Sequence, residues 1–123
     1  MLRAYRRKNR EIPIIVEGRN DLRCLKKLDF RGDIIVFNSG KSITAFADSI
    51  SPHYNEVIIL TDFDQRGKFL KDRLYQEMMG LGIRIDISLW NYINKHVPIK
   101  TVEELPAEFY REKYTEISKT VLR

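Results

Sequence analysis

Four short runs of largely apolar, β-branched residues punctuate the chain at 12–16 (IPIIV), 33–38 (DIIVFN), 57–61 (VIILT) and 83–89 (IRIDISL). The first three lack alternation, the pattern of strands buried on both faces as in a parallel sheet. Pro13 is tolerated near the start of its run. The fourth alternates apolar and polar residues, which predicts an edge strand with one wet face. Between the runs the apolar period changes to that of helices. Asn20 is placed to cap a helix with Asp21 in its first turn, followed by Leu22, Cys24, Leu25 and Leu28 on one face. Ile43, Phe46, Ala47 and Ile50 form a second face, stopped by Pro52. Residues 68–79 predict a third helix with Phe69, Leu70, Leu74 and Met78 as its apolar face, ended by Gly80 or Gly82. Beyond residue 90 the pattern reads as helix or irregular structure. Thr101 and Glu104 have capping-box spacing, and residues 103–121 are expected to be helical with a break near Pro106. Strands alternating with helices predict an α/β fold, a four-stranded mostly parallel sheet with helices on both faces and right-handed crossovers. The expected organisation is a basic N-terminal arm at 1–11, the α/β domain at 12–90 and a C-terminal helical extension at 91–123 packed on the same domain.

The strand ends carry the candidate chemistry. The third run closes on Asp62 and Asp64, followed by Arg66 and Gly67, and the first closes on Glu17-Gly18. In extended backbone, residues two apart point to one side, so both aspartates can face a single point. Taken alone, a pair of this kind reads first as turn and N-cap residues. If the first and third strands are neighbours, Glu17 joins the aspartates at the C-terminal edge of the sheet, where open α/β sheets bind ligands. Three hard carboxylates in one crevice suit Mg²⁺ or Mn²⁺.

Charge narrows the partners. Arg3, Arg6, Arg7, Lys8 and Arg10 stand in the first ten residues without an acid; taking those five from the 22 basic residues leaves 17 against 17 acidic ones. A pI of about 9.4 and a basic arm suit phosphate binding, and a solvated terminus accounts for the arm equally well. A single cysteine, Cys24, excludes a disulfide framework and a cysteine-rich zinc site; among apolar helix positions it reads as a small core residue. No run approaches the ~20 apolar residues of a membrane span, and the N-terminus lacks the apolar stretch of a signal peptide, so a cytoplasmic protein without membrane contact is expected. Gly40-Lys41-Ser42 lacks the upstream glycine of a phosphate-binding P-loop, since position 35 is isoleucine. His53 and His96 have no partner ligands at useful spacing. Trp90 and Tyr92, with Phe109 and Tyr110, are expected in the core rather than stacked on bases, and Asp48 and Asp86 are expected to be solvated.

A buried strand ending in Glu17-Gly18, a βα repeat, and a second buried strand ending in Asp62-Phe63-Asp64-Gln65-Arg66-Gly67 resemble the Toprim domain of topoisomerases, bacterial primases, certain nucleases and the maturase of 5S ribosomal RNA. Glu17-Gly18-Arg19-Asn20-Asp21 is similar to the Glu-Gly-Lys-x-Asp form found in the maturase and in small stand-alone members. The Asn38-Ser39-Gly40 turn is similar to the turn after the family's second strand. The resemblance implies a Rossmann-like fold and Mg²⁺ coordinated by Asp62 and Asp64 with Glu17. It also implies that Glu17 is the general acid or base. Arg66 matches a frequently basic position, and Arg19, Lys41, Lys68, Arg6 and Arg7 are candidate phosphate contacts. Gly18, Gly40 and Gly67 are the turn glycines. The chain is too short for the topoisomerase tyrosine domain and lacks the cysteines of a primase zinc module. The expected function is Mg²⁺-dependent phosphodiester chemistry on RNA or DNA, nuclease before primase. The alternative is a non-catalytic nucleic-acid- or protein-binding module of a larger replication, repair or RNA-processing complex. A receiver-like signalling domain fits poorly, because it needs paired acids after the first strand and one acceptor aspartate after the third.

Overall fold

The computed structural model describes residues 2–37 and 40–106. Its elements are α1 (Leu2–Asn9), β1 (Ile14–Val16), α2 (Arg19–Lys27), β2 (Ile34–Val36), α3 (Ile43–Ile50), β3 (Glu56–Ile59), α4 (Gln65–Gly80), β4 (Arg84–Asp86), α5 (Ser88–His96) and a 3₁₀ turn (Val102–Glu104). The four strands form one parallel sheet in the order β2-β1-β3-β4. Ile14 pairs with Ile34 on one side and Ile58 on the other, so β1 and β3 are central neighbours. Their residues are wholly buried, apart from Glu56 at the start of β3, as unbroken apolar runs require.

Alternate side chains feed two cores. Ile14, Val16, Ile58 and Leu60 join α2, α5 and the 3₁₀ turn on one face; Ile15, Val57 and Ile59 join α3 and α4 on the other. Helices therefore cover both faces, which fixes an α/β architecture.

Four local expectations change. The second run is an edge strand, and Ile34, Ile35 and Val36 are only half-buried because no strand lies beyond them. The fourth run is an edge strand as expected, but it stops at Asp86. The Asp86 carboxylate accepts a hydrogen bond from Ser88 N at 2.8 Å, and α5 starts there. Gly18, not Asn20, is the N-cap of α2; its amide donates to Asp21 Oδ2 at 3.0 Å. Asp64 caps α4 through Gly67 N at 2.7 Å, so that helix begins at Gln65 rather than near residue 68. Its end is a Schellman motif, with Gly82 at φ +79° and Ile83 N bonded to Met78 O at 3.1 Å.

The basic N-terminal segment is helix α1 rather than an extended arm. Tyr5 and Asn9 are buried, and Asn9 amide donates to the carbonyls of Ile12 and Asp33 at 3.1 and 3.0 Å. These partners precede β1 and β2, so α1 is moored at the N-terminal ends of the strands. The expected helix at 103–121 starts instead as the 3₁₀ turn, with Glu104 accepting from Lys100 N at 3.0 Å. Asn38, Ser39, Phe109, Tyr110 and the remainder of that expected helix lie outside the described residues.

Candidate metal centre at the C-terminal edge of the sheet

The adjacency of β1 and β3 brings Glu17 and Asp62 together. Asp62 N donates to Glu17 Oε1 at 3.1 Å, joining residues 45 positions apart. Arg66 Nη2 lies 3.5 Å from Glu17 Oε2. Asp62 Oδ1 accepts from Val102 N at 2.9 Å, and Asp64 Oδ1 accepts from Gly67 N. Each acid thus commits one oxygen to a backbone amide. The second oxygens of Asp62 and Asp64 carry no hydrogen bond among the described residues.

The junction between β3 and α4 is tight. Thr61 Oγ1 donates to Gly67 O at 2.8 Å, and a Cβ on Gly67 would fall 2.0 Å from Asp62 O. Gly67 therefore lies in the first turn of α4, where close approach excludes any side chain, rather than in a turn ahead of the helix. Trp90 Nε1 donates to Thr61 O at 3.0 Å, and Phe63 N donates to Lys100 O at 2.8 Å. Trp90 is buried, as expected, and Tyr92 is exposed against His96. The loop carrying the aspartates is thus held by α4, α5 and the 3₁₀ turn.

Asp21 is 5% exposed, at the base of the cluster. Burial, aided by the charges of Asp62, Glu103 and Glu17, pushes its pKa up to about 6. Burial also raises Glu17, with Asp62 adding repulsion, against the lowering effect of the Asp62 amide and Arg66. Asp62 is raised by burial and by Asp64 and Glu103, against the Val102 amide. Acids that repel acids in a partly desolvated edge form a donor set suited to a hard divalent cation. Among the described residues no three acidic side chains are gathered closely enough to enclose an ion as they stand. The fit rests on the chemistry of the oxygens and on the uncommitted carboxylate oxygens of Asp62 and Asp64.

The other candidates divide by position. Arg19 opens α2, Lys41 lies in the loop after β2, and Lys68 is in the first turn of α4; all three are exposed near the C-terminal ends of the strands. Gly18 and Gly40 occupy the turns after β1 and β2. Arg6 is not brought to this edge, since its Nε donates to Leu28 O and its guanidinium lies 5.8 Å from the Phe30 ring, beside the start of β2. Arg7 is exposed on the same helix. Asp21, Glu103 and the Val102 amide join this edge without being among the residues expected there. For Asp21 a signal existed, since it closes the Glu17-Gly18-Arg19-Asn20-Asp21 stretch. Two further readings change. Asp86 is not solvated but bound by Tyr5 and Lys8, whereas Asp48 is exposed. Cys24 is half-buried, with Sγ 4.0 Å from Glu103 O.

Among the described residues no helix is long and apolar enough to cross a membrane. The chain is 67% identical over 117 residues to the UPF0292 protein TV1259 of Thermoplasma volcanium, covering 95% of this chain and 98% of that one. It is 32% identical over 97 residues to the UPF0292 protein MJ1624 of Methanocaldococcus jannaschii, covering 77% and 76%. A solved structure of a protein from Aquifex aeolicus superposes with a TM-score of 0.71 at 26% identity, over 85% of this chain and 97% of the other. The Toprim domain model matches residues 12–103, past residue 90 and through the 3₁₀ turn that holds Asp62. The chain therefore belongs to the Toprim domain family, whose functions are nucleic-acid-related and metal-dependent.

Proposed function

We propose that this protein carries out divalent-metal-dependent phosphodiester chemistry on RNA or DNA, as a nuclease rather than a primase. The observation that carries the reading is the contact between Glu17 and the Asp62 amide across β1 and β3, in a cluster whose acids raise one another's pKa. Asp62, Asp64 and Glu17 would hold Mg²⁺, or Mn²⁺ in its place. A bound divalent ion neutralises charge on the phosphoryl oxygens and positions the attacking oxygen. Glu17 Oε1 is fixed by the Asp62 amide, so Oε2 is the atom that takes up or delivers a proton. The raised pKa of Glu17 keeps that proton exchange closer to neutral pH. Arg66, Arg19, Lys41 and Lys68 line the same edge and suit the phosphates on either side of the cut.

The test is cleavage of end-labelled structured RNA, single-stranded DNA and duplex DNA, with Mg²⁺ or Mn²⁺ against EDTA, by wild type, Glu17→Gln and Asp62→Asn. Metal-dependent cleavage lost in both variants supports the reading. Absence of cleavage, or cleavage surviving both changes, favours a nucleic-acid- or protein-binding module within a larger complex. One observation favours that second reading. Each carboxylate already has a structural bond to a backbone amide, so the acids have a role in holding the edge together without chemistry.

A further inference from the structure

Helix α4 starts at the acidic edge and runs away from it. Its buried face holds Gly67, Leu70, Lys71, Leu74 and Met78. At 100° per residue, Arg66, Phe69, Arg73 and Gln76 fall within an arc of about 80° outside that face, with Arg66 nearest to it. The apolar pattern assigns Phe69 to the core, but it is 59% exposed. Three other apolar side chains complete the buried face without it, and Lys71 takes a buried place instead, its Nζ 3.8 Å from the Trp90 ring centroid. The Arg73 guanidinium lies 5.9 Å from the Phe69 ring centroid, and the Arg66 side chain, 86% exposed, reaches back to Glu17. Arg73 also has a long ion pair to Glu77 at 3.9 Å, on the far side of the stripe from Phe69. An exposed pair of that kind is weak enough for a phosphate to displace.

We infer that this outward face of α4 is a single-strand nucleic-acid track, in which Phe69 stacks on an unpaired base while Arg66 and Arg73 take the phosphates on either side. The inference rests on the nucleic-acid reading above and adds where the strand runs and what form it has. The occupant follows from three features. The stripe itself carries Arg66 and Arg73 and no acid, with Asp72 and Glu77 on its two flanks, which matches a polyanion rather than an apolar protein partner. It is continuous with the acidic edge through Arg66. Its centre is an open aromatic ring, which serves an unstacked base, whereas bases within a duplex are already stacked.

The test is binding of a labelled 12-nucleotide single strand and of its duplex, with EDTA present so that binding is read apart from cleavage. Phe69 is exposed, so substitutions there leave the fold intact. Phe69→Ala is expected to weaken single-strand binding about tenfold and to change duplex binding little. Phe69→Leu should fall with Phe69→Ala, because the ring and not apolarity is needed. Phe69→Trp should bind within about twofold of wild type, with indole fluorescence quenched by the single strand; Trp90 is buried and supplies a constant background. Arg73→Ala should lower the salt dependence of binding by about one phosphate contact. Wild-type affinity in Phe69→Ala, or full affinity in Phe69→Leu, overturns the track. If Arg66→Ala and Lys68→Ala still weaken binding in that case, the nucleic-acid reading survives. A wild type that binds neither oligonucleotide overturns both.

Discussion

Two clusters of acids lie near the two ends of the sheet, and their electrostatics have opposite sign. Beside α1, level with the start of β1, Asp86 at the end of β4 accepts hydrogen bonds from Tyr5 Oη at 2.9 and 3.0 Å, from Ser88 N and from Lys8, while Glu56 at the start of β3 pairs with Lys8 at 3.1 Å and Arg84 at 3.2 Å. Burial alone would raise the Asp86 pKa, but those donors outweigh it and hold the carboxyl below its ordinary value. At the C-terminal edge, burial and the charge of Asp62 raise Glu17 and Asp21, burial with Asp64 and Glu103 raises Asp62, and Arg66 is the nearby cation. The first cluster is satisfied and moors α1. The second is held by backbone amides at an electrostatic cost that a bound cation would relieve, as the proposed function requires.

The sharpest way to break this contrast is activity. Glu17→Gln and Asp62→Asn should each lower metal-dependent cleavage about 100-fold or more, while Asp86→Asn leaves the rate within about twofold. Equal losses from both clusters in initial-rate assays would erase the distinction. Stability should respond next and in opposite directions. Asp86→Ala removes the acceptor shared by Tyr5 Oη, Ser88 N and the half-buried Lys8, which keeps only Glu56, and should cost about 2 kcal/mol in urea unfolding. At pH 7.5 without metal, Asp21→Asn should stabilise by about 1–2 kcal/mol, because it removes a carboxylate that ionises against its neighbours while keeping an acceptor for Gly18 N.

The pH dependence sharpens the same point. The folded pKa of Asp21, about 6, lies above the unfolded value of about 4. The native state then binds more protons between those values, so stability from Asp21 is present below about pH 4 and lost as pH rises through 6. The folded pKa of Asp86 is depressed, so its contribution is present above about pH 4 and lost as pH falls through the folded value. The advantage of Asp21→Asn should therefore vanish at pH 4, and the penalty of Asp86→Ala should shrink only below it. Urea midpoints across pH 3–8 check both signs.

Metal gives a smaller effect. Millimolar Mg²⁺ should raise the melting temperature of wild type and of Asp86→Asn by a few degrees, and that of Asp62→Asn not at all. Smallest is the effect of the amide that aims Asp62. Val102 is the first residue of the 3₁₀ turn, a position where proline is tolerated. Val102→Pro should weaken Mg²⁺ affinity severalfold in calorimetry, beyond any change seen with Val102→Ala.

The chain's own pattern determined the architecture and much of the acidic edge. Unbroken β-branched runs at 12–16 and 57–61 require burial on both faces, and only central strands of a parallel sheet provide it. Glu17, Asp62 and Asp64 follow those runs directly, so strand order alone was enough to bring Glu17 and Asp62 together. Local pattern did not carry what depends on contacts between distant elements. Asp21 reads as a first-turn acid, and its raised pKa arises only when α2 is packed against β1 and the 3₁₀ turn, within reach of the charges of Asp62 and Glu103. Val102 reads as one apolar residue among several, because a backbone amide leaves no trace in side-chain periodicity. Phe69 leaves its expected place on the buried face, and Lys71 is buried there because Trp90, supplied by α5, gives the lysine an aromatic face. The basic start of the chain reads as an arm because its charges dominate its composition. Tyr5, Lys8 and Asn9 make it a moored helix largely through partners more than twenty residues away. Sequence periodicity records how each residue meets the sheet. Which charges meet one another is decided by tertiary packing, since electrostatic and hydrogen-bond partners need nearness in space and not in the chain.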